Sequence, residues 1–153
     1  MEASTETAIR REIAIAASPE TVWEFLVDPE KATRWMGQSA SLDARPGGEY
    51  HVKVLSGNVA RGEFVEVDRP HRLVWTWGWE EESASSVAPG SSTIEVELEP
   101  TDEGTLLRFV HSGFSNAEET QKHAHGWDHY LPRLETAAAG GDPGRDTWLD
   151  GMT

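Results

Sequence analysis

The chain has 153 residues, no cysteine, and 27 Asp and Glu against 13 Lys and Arg, a formal net charge of −14. A field of that sign repels phosphate backbones and anionic lipid, and the lack of thiols excludes a disulfide framework, a thiolate zinc site and a cysteine nucleophile. With 37% hydrophobic and 26% charged residues, the composition is that of one ordinary soluble domain.

The start, MEASTETAIRREIAIAASPE, has no basic stretch leading into an unbroken apolar run, and no segment is long enough to span a bilayer, so a cytoplasmic location is expected. Ile9, Arg11, Ile13 and Ile15 alternate as in a strand. Ser18 then caps a short helix, with Pro19 in its first turn and Glu20 at its positive end. Asp28 and Pro29 repeat the device for a second short helix, which Gly37 closes. From PGGEYHVKVL onward the period becomes two. Tyr50, Val52 and Val54 share one face, VARGEFVEVD runs to the turn at RPH, and RLVWTWGWE follows.

In that last run Leu73, Trp75, Trp77 and Trp79 occupy one face of a strand. The polar stretch EESASSVAPGSS reads as a loop, STIEVELEP alternates, TDEG turns the chain, and TLLRFVHSGF returns it. Ser115 and Glu118 have the spacing of a capping box and open a long helix. On it Thr120, His123, Ala124, Trp127, Tyr130, Leu131 and Leu134 form one stripe, while Gln121, Lys122, His125, Asp128 and His129 lie on the other side. Pro132 is expected to bend this helix or loosen its last turns. The domain is placed at 8–139, and 140–153 reads as a mobile tail with Trp148 and Leu149 as anchors. One long helix covers such a sheet only if the sheet curls around it, which puts the indoles on the concave side.

The order strand, two helices, six strands, long helix, with the phrases SPETVW, RPGGEY, GEFVEVDRPHRLVWTWGW, TIEVELEPTDEGTLLRFVHSGF and GWDHYLPRL, resembles the helix-grip superfamily called SRPBCC or START-like. Within it the chain is similar to the branch related to the C-terminal domain of the heat-shock protein 90 ATPase activator. The resemblance implies an α+β fold with a curved seven-stranded antiparallel sheet wrapped around the C-terminal helix, and a cavity between them for an apolar or amphipathic small molecule. It also implies two alternatives: a co-chaperone acting on the chaperone's ATPase, and a cyclase-like or hydrolase-like enzyme. No residues here resemble the activator's additional N-terminal domain, which argues against a chaperone partner.

The candidate ligand-binding residues follow. Trp75, Trp77 and Trp79 form either plain core or a cavity wall, with Trp79 nearest the rim. Trp127, Tyr130 and His123 face them from the helix, and His111 and Phe114 come from FVHSGF. Arg61 and Glu63 share a strand face with Val65 and Val67; they are either internal charges that need a partner or a ligand, or, the simpler reading, an exposed pair at a sheet end. Trp35 and Met36, ending the second helix, could form a lid, with ordinary packing as the simpler reading. Acid-base chemistry, if any, would fall to His111, His123 or Glu63; no catalytic residue is assigned. His125 and His129 have helical metal spacing, but their side of the helix is opposite Trp127 and Gly126 stands where a general-base glutamate is needed, so they are expected to be exposed and no metal site or cofactor is expected.

Overall fold

In the computed structural model, residues 8–55, 58–80, 87–114 and 116–146 are described. Strand β1 (Ala8–Ile15) is followed by helices α1 (Pro19–Val27) and α2 (Pro29–Trp35), and then by six strands. These are β2 (Ser39–Leu42), β3 (Glu49–Leu55), β4 (Asn58–Asp68), β5 (Arg72–Trp77), β6 (Ser92–Thr101) and β7 (Gly104–Ser112), and α3 (Ala117–Ala138) ends the element order. The strands form one antiparallel sheet in the order β1-β7-β6-β5-β4-β3-β2. This is the α+β helix-grip arrangement. Its edges are protected by charge on β1, at Arg10, Arg11 and Glu12, and by the brevity of β2.

The caps are those the composition asks for. The Ser18 side chain accepts from the Thr21 N–H, and Asp28, which ends α1, accepts from the Glu30 N–H to begin α2. Gly37 follows with φ of +94°, a conformation that a β-carbon disfavours. Helix α3 is capped by the Asn116 side chain on the Glu119 N–H, one position beyond the expected box; Ser115 lies outside the described residues. The helix continues through Pro132 to Ala138. Its buried side carries Thr120, His123, Trp127, Tyr130, Leu131 and Leu134.

That stripe packs into a core with Leu73, Trp75 and Trp77 of β5, Ile94, Val96 and Leu98 of β6, and Leu107 and Phe109 of β7. Arg11 ties β1 to α3 through Asp128, with Nε to Oδ1 at 2.8 Å, and this contact holds the Asp128 carboxyl below the usual carboxylate range. Gly78 follows β5. A β-carbon there would lie 1.7 Å from the Ala88 carbonyl oxygen, so the chain after β5 folds back across a backbone with no room for a side chain.

Strand β4 decides between the two readings of Arg61 and Glu63 and rules out the inward one. Phe64 pairs with Trp75, whereas Val67 pairs with Leu73, and the two registers differ by one residue through a bulge between Phe64 and Glu66. Residues directly opposite across a sheet share a face. Val67 therefore does turn toward the core, but before the bulge it is Ala60 and Phe64 that face inward. Arg61 and Glu63 are exposed on the outside, where Arg61 pairs with Glu49 at 3.2 Å and Glu80 at 3.3 Å.

The C-terminal segment also departs from expectation. Up to Asp146 it folds back on α3: Asp146 is buried, accepting from the Tyr130 hydroxyl at 2.6 Å and lying 2.8 Å from His129 Nε2. Arg133 reaches the carbonyls of Pro143 and Gly144 as well as that of Trp35. His129 is thus mostly covered, not exposed. Trp148 and Leu149, the expected anchors, lie outside the described residues.

Candidate functional site

At one end of the concave face, beyond the last residue of β5, Trp79 continues the inner row of indoles. It bridges to Ala60, and its backbone N–H donates to the Val87 carbonyl at 2.8 Å. Its ring meets that of Trp77 edge to face, with centroids 5.3 Å apart. Trp77 packs on Trp127 of α3 at 5.2 Å, and Trp75 stacks on Tyr50 at 5.3 Å. Trp75 and Trp77 are buried, while Trp79 is only partly so.

Two histidines sit among these rings, with their centroids 5.5 Å apart and Phe114 against both. Their protonation follows from their partners. An indole N–H can only donate, and a backbone carbonyl can only accept. Trp79 Nε1 donates to His123 Nε2 at 2.9 Å, and His123 Nδ1 lies 2.9 Å from the Glu119 carbonyl oxygen. His123 therefore carries its proton on Nδ1 and presents a lone pair at Nε2. On His111 the order is reversed. Trp127 Nε1 donates to Nδ1 at 3.0 Å, so the proton is on Nε2, which donates to Ser92 Oγ at 2.9 Å; the Ser92 hydroxyl passes its own hydrogen to the Trp77 carbonyl at 2.7 Å.

Both rings are thus held neutral. Burial, and next the charge His123 would carry, push His111 well below the ordinary histidine value. Burial also lowers His123, opposed by its hydrogen bond to the Glu119 backbone and by the Glu119 carboxylate, and assisted by Lys122. The Glu119 carboxylate oxygen is 3.8 Å from Nδ1.

The buried Ser92 and His111 look at first like a nucleophile and its base. A base must offer a lone pair to the serine hydroxyl. Here His111 Nε2 carries the hydrogen and the serine is the acceptor, because Trp127 occupies the only other nitrogen. This arrangement stabilises structure and does not activate Ser92. His123 differs: its lone pair is aimed at the rim and is covered by one side chain.

Between the rings and α3 the described side chains pack closely. A cavity of about 10 Å³ remains, bordered among others by Trp35, Trp75, Phe109, Trp127 and Leu131, little more than the space one water needs. Trp35 and Met36 are buried, and the Trp35 indole donates to the Phe25 carbonyl at 2.8 Å. Within the packed interior the indole N–H groups of Trp75 and Trp77 have no hydrogen-bond partner among the described residues. Trp75 lies beside the Tyr50 hydroxyl without reaching bonding geometry, and burial pushes that phenol's pKa up, with the Trp75 indole partly offsetting the effect.

The structure therefore brings together Trp77, Trp79, His111, Phe114, His123 and Trp127, with Trp75 adjoining. It separates Arg61 and Glu63, which face outward, and directs the Tyr130 hydroxyl to Asp146. Ser92, Tyr50 and the Glu119 carbonyl complete the arrangement without a sequence signal of their own: Ser92 resembles the serines before it, and a backbone carbonyl has no residue signature. Among the described residues no three His, Cys, Asp or Glu side chains converge as a metal site would require, and no helix is long and apolar enough to cross a membrane.

Comparison with known proteins places the chain. The family described as Activator of Hsp90 ATPase homolog 1-like protein matches residues 16–139. An AHSA1-like protein from Rhizobium etli, solved in solution, is 47% identical over 91% of this chain and 86% of its own, with a TM-score of 0.73. CalU16 from Micromonospora echinospora is 26% identical over 87% of this chain and 75% of its own, at a TM-score of 0.63. The Aha1 dimer from Colwellia psychrerythraea shares the fold at 21% identity, covering 88% of this chain and 97% of its own, at a TM-score of 0.74. Among curated proteins none matches at a significant level. By the span of the family match and the identity to the Rhizobium etli protein, the chain belongs to the family of Activator of Hsp90 ATPase homolog 1-like proteins within the SRPBCC superfamily.

Proposed function

We propose that this protein binds a small, neutral, hydrophobic or aromatic molecule between sheet and α3, and that the molecule enters at the Trp79 end. The observation that carries the reading is the contrast between Trp79 and the indoles behind it. Trp75, Trp77 and Trp127 are locked in the core, and displacing such a ring forfeits several kcal/mol of burial and packing. Trp79 is partly exposed and its side chain makes one hydrogen bond, a net contribution of about 1 kcal/mol. The wall is cheapest to open there. Ligand pockets of this kind enclose roughly 300 Å³ or more, so binding requires Trp79 to swing away from a cavity that is closed when empty. The lining of the residual space is apolar and both histidines are neutral, which favours an uncharged occupant.

The test is a set of neutral aromatic probes followed by tryptophan fluorescence and thermal shift. Binding with a rise in melting temperature, strengthened in Trp79→Ala, supports the reading. No response to any probe up to about 1 mM, where binding is worth about 4 kcal/mol, refutes it.

A further inference from the structure

We propose that His123 Nε2 is the polar anchor of the bound molecule and that the Trp79 indole occupies its place when the site is empty, so that the ligand is an aromatic ring system bearing an O–H or N–H donor. The inference rests on the proposed binding function and adds the chemistry of its occupant.

The Trp79 side chain is itself a neutral bicyclic aromatic with a single donor, seated edge to face on Trp77 at 5.3 Å and against the His123 ring at 6.0 Å, with its N–H on Nε2 at 2.9 Å. Every surface such a ligand needs is already being used by this side chain. The geometry of the anchor does not depend on Trp79, because Nδ1 donates to the Glu119 carbonyl at 2.9 Å and fixes both tautomer and ring plane from the helix side. When Trp79 moves out, Nε2 remains an acceptor in surroundings that are mostly protein: His123 is 8% exposed. A buried acceptor left without a donor is costly, whereas one that receives a new donor loses little. A purely apolar molecule would strand Nε2, and an anion would bring an acceptor against an acceptor. The groups facing His123 are Glu119 and Lys122 on its own helix, His111 from β7, Phe114 and Trp79. At neutral pH His111 and His123 are both uncharged, which leaves the lone pair available.

Two probes of nearly equal size separate the possibilities: 2-naphthol, which carries a donor, and 2-methoxynaphthalene, which does not. The expected result is binding of 2-naphthol about ten-fold tighter by the protein, the worth of one net hydrogen bond. The preference should increase in Trp79→Phe, where Nε2 is unoccupied, and vanish in His123→Leu. Because His123→Leu could disturb the fold, the ¹⁵N resonance of His123 Nε2 is followed in the unmutated protein; it should move with 2-naphthol and not with its ether. Equal binding of both probes, or binding without a change at Nε2, overturns the anchor while leaving the binding function in place. Binding of neither probe by the protein or by Trp79→Phe overturns both.

Discussion

Trp77 and Trp127 provide a matched pair for the hydrogen-bond argument. They touch one another and are 2% and 3% exposed, yet the Trp127 N–H serves a buried acceptor and the Trp77 N–H serves none. Replacing either by Phe removes a similar amount of apolar volume, which costs ~1–2 kcal/mol from transfer and cavity terms. At Trp77 the same substitution also removes an unsatisfied buried donor, a relief of ~1–3 kcal/mol that offsets the loss. At Trp127 it instead strands His111 Nδ1, or forces the ring into the other tautomer and breaks the chain through Ser92 to the Trp77 carbonyl; either way ~1–3 kcal/mol is added. The expected costs are therefore near zero for Trp77→Phe and about 3 kcal/mol for Trp127→Phe. In a domain of this length that separates the melting temperatures by roughly 6–12 °C. Urea midpoints at constant m-value measure it, and long-range ¹H–¹⁵N correlations of His111 should show the Nε2–H tautomer kept in the first variant and disturbed in the second. If Trp77→Phe is as damaging as Trp127→Phe, the assignment of donors and acceptors around His111 is wrong.

Four further outcomes are expected. His111 and His123 have folded-state pKa values below the unfolded value of about 6.5, so the unfolded chain binds more protons as pH falls below 6.5. Stability is therefore full above that pH and declines beneath it, by about 1 kcal/mol per pH unit for each such histidine until its folded pKa is reached; urea midpoints between pH 7.5 and 5.5 should fall, less so in His111→Asn, and a flat profile contradicts the neutral pair. Gly78→Ala should cost ~3 kcal/mol or more by driving a methyl group against the Ala88 carbonyl, and a thermal melt within a degree or two of the unsubstituted protein would show that the strand end gives way easily. Asp146→Ala removes the buried partner of the Tyr130 hydroxyl and His129 and should lower stability by ~2–3 kcal/mol; an unchanged denaturation midpoint would mean that this carboxylate does not hold the segment. Among the described residues Val65 is the one large hydrophobic side chain well exposed; on the expectation that no chaperone is its partner, a heat-shock protein 90 ATPase should keep its basal rate when this protein is added, and saturable stimulation of several fold refutes that expectation.

What the sequence made readable was the part governed by short-range rules. Ser18, Asp28 and the two prolines mark the helix starts by direct capping, and the stripe from Thr120 to Leu134 on α3 follows from helical period alone. The concave row Trp75, Trp77 and Trp79 follows from strand alternation, including the greater exposure of Trp79. The inward reading of Arg61 and Glu63 fails because it carries alternation backward from Val67 through a bulge, and one inserted residue reverses every side chain upstream. Strand β2, SASL, alternates Ser39 and Ser41 with Ala40 and Leu42, which pack on the core, but four residues are too short a run for that alternation to stand out. Closeness of His111 to His123 was foreseeable from their faces, but their opposite tautomers depend on which indole meets which nitrogen, a matter of side-chain rotamers in three dimensions. Nor does a pattern of apolar residues say whether the enclosed space is empty or filled; that depends on volume.

The placement of β1 has a consequence for the order in which the molecule assembles. Residues 77–127 hold every polar contact of the Trp79–His123 and Trp127–His111 pairs, and β5, β6 and β7 join in succession by neighbouring antiparallel pairing. Strand β1 instead pairs with β7, Ala8 opposite Ser112, so roughly two thirds of the chain lies between the partners. Closing so long a loop costs entropy that only the finished contact returns. On loop-closure grounds the strand that seals one side of the sheet is expected to dock late, onto a structure in which the two histidines have already found their indoles.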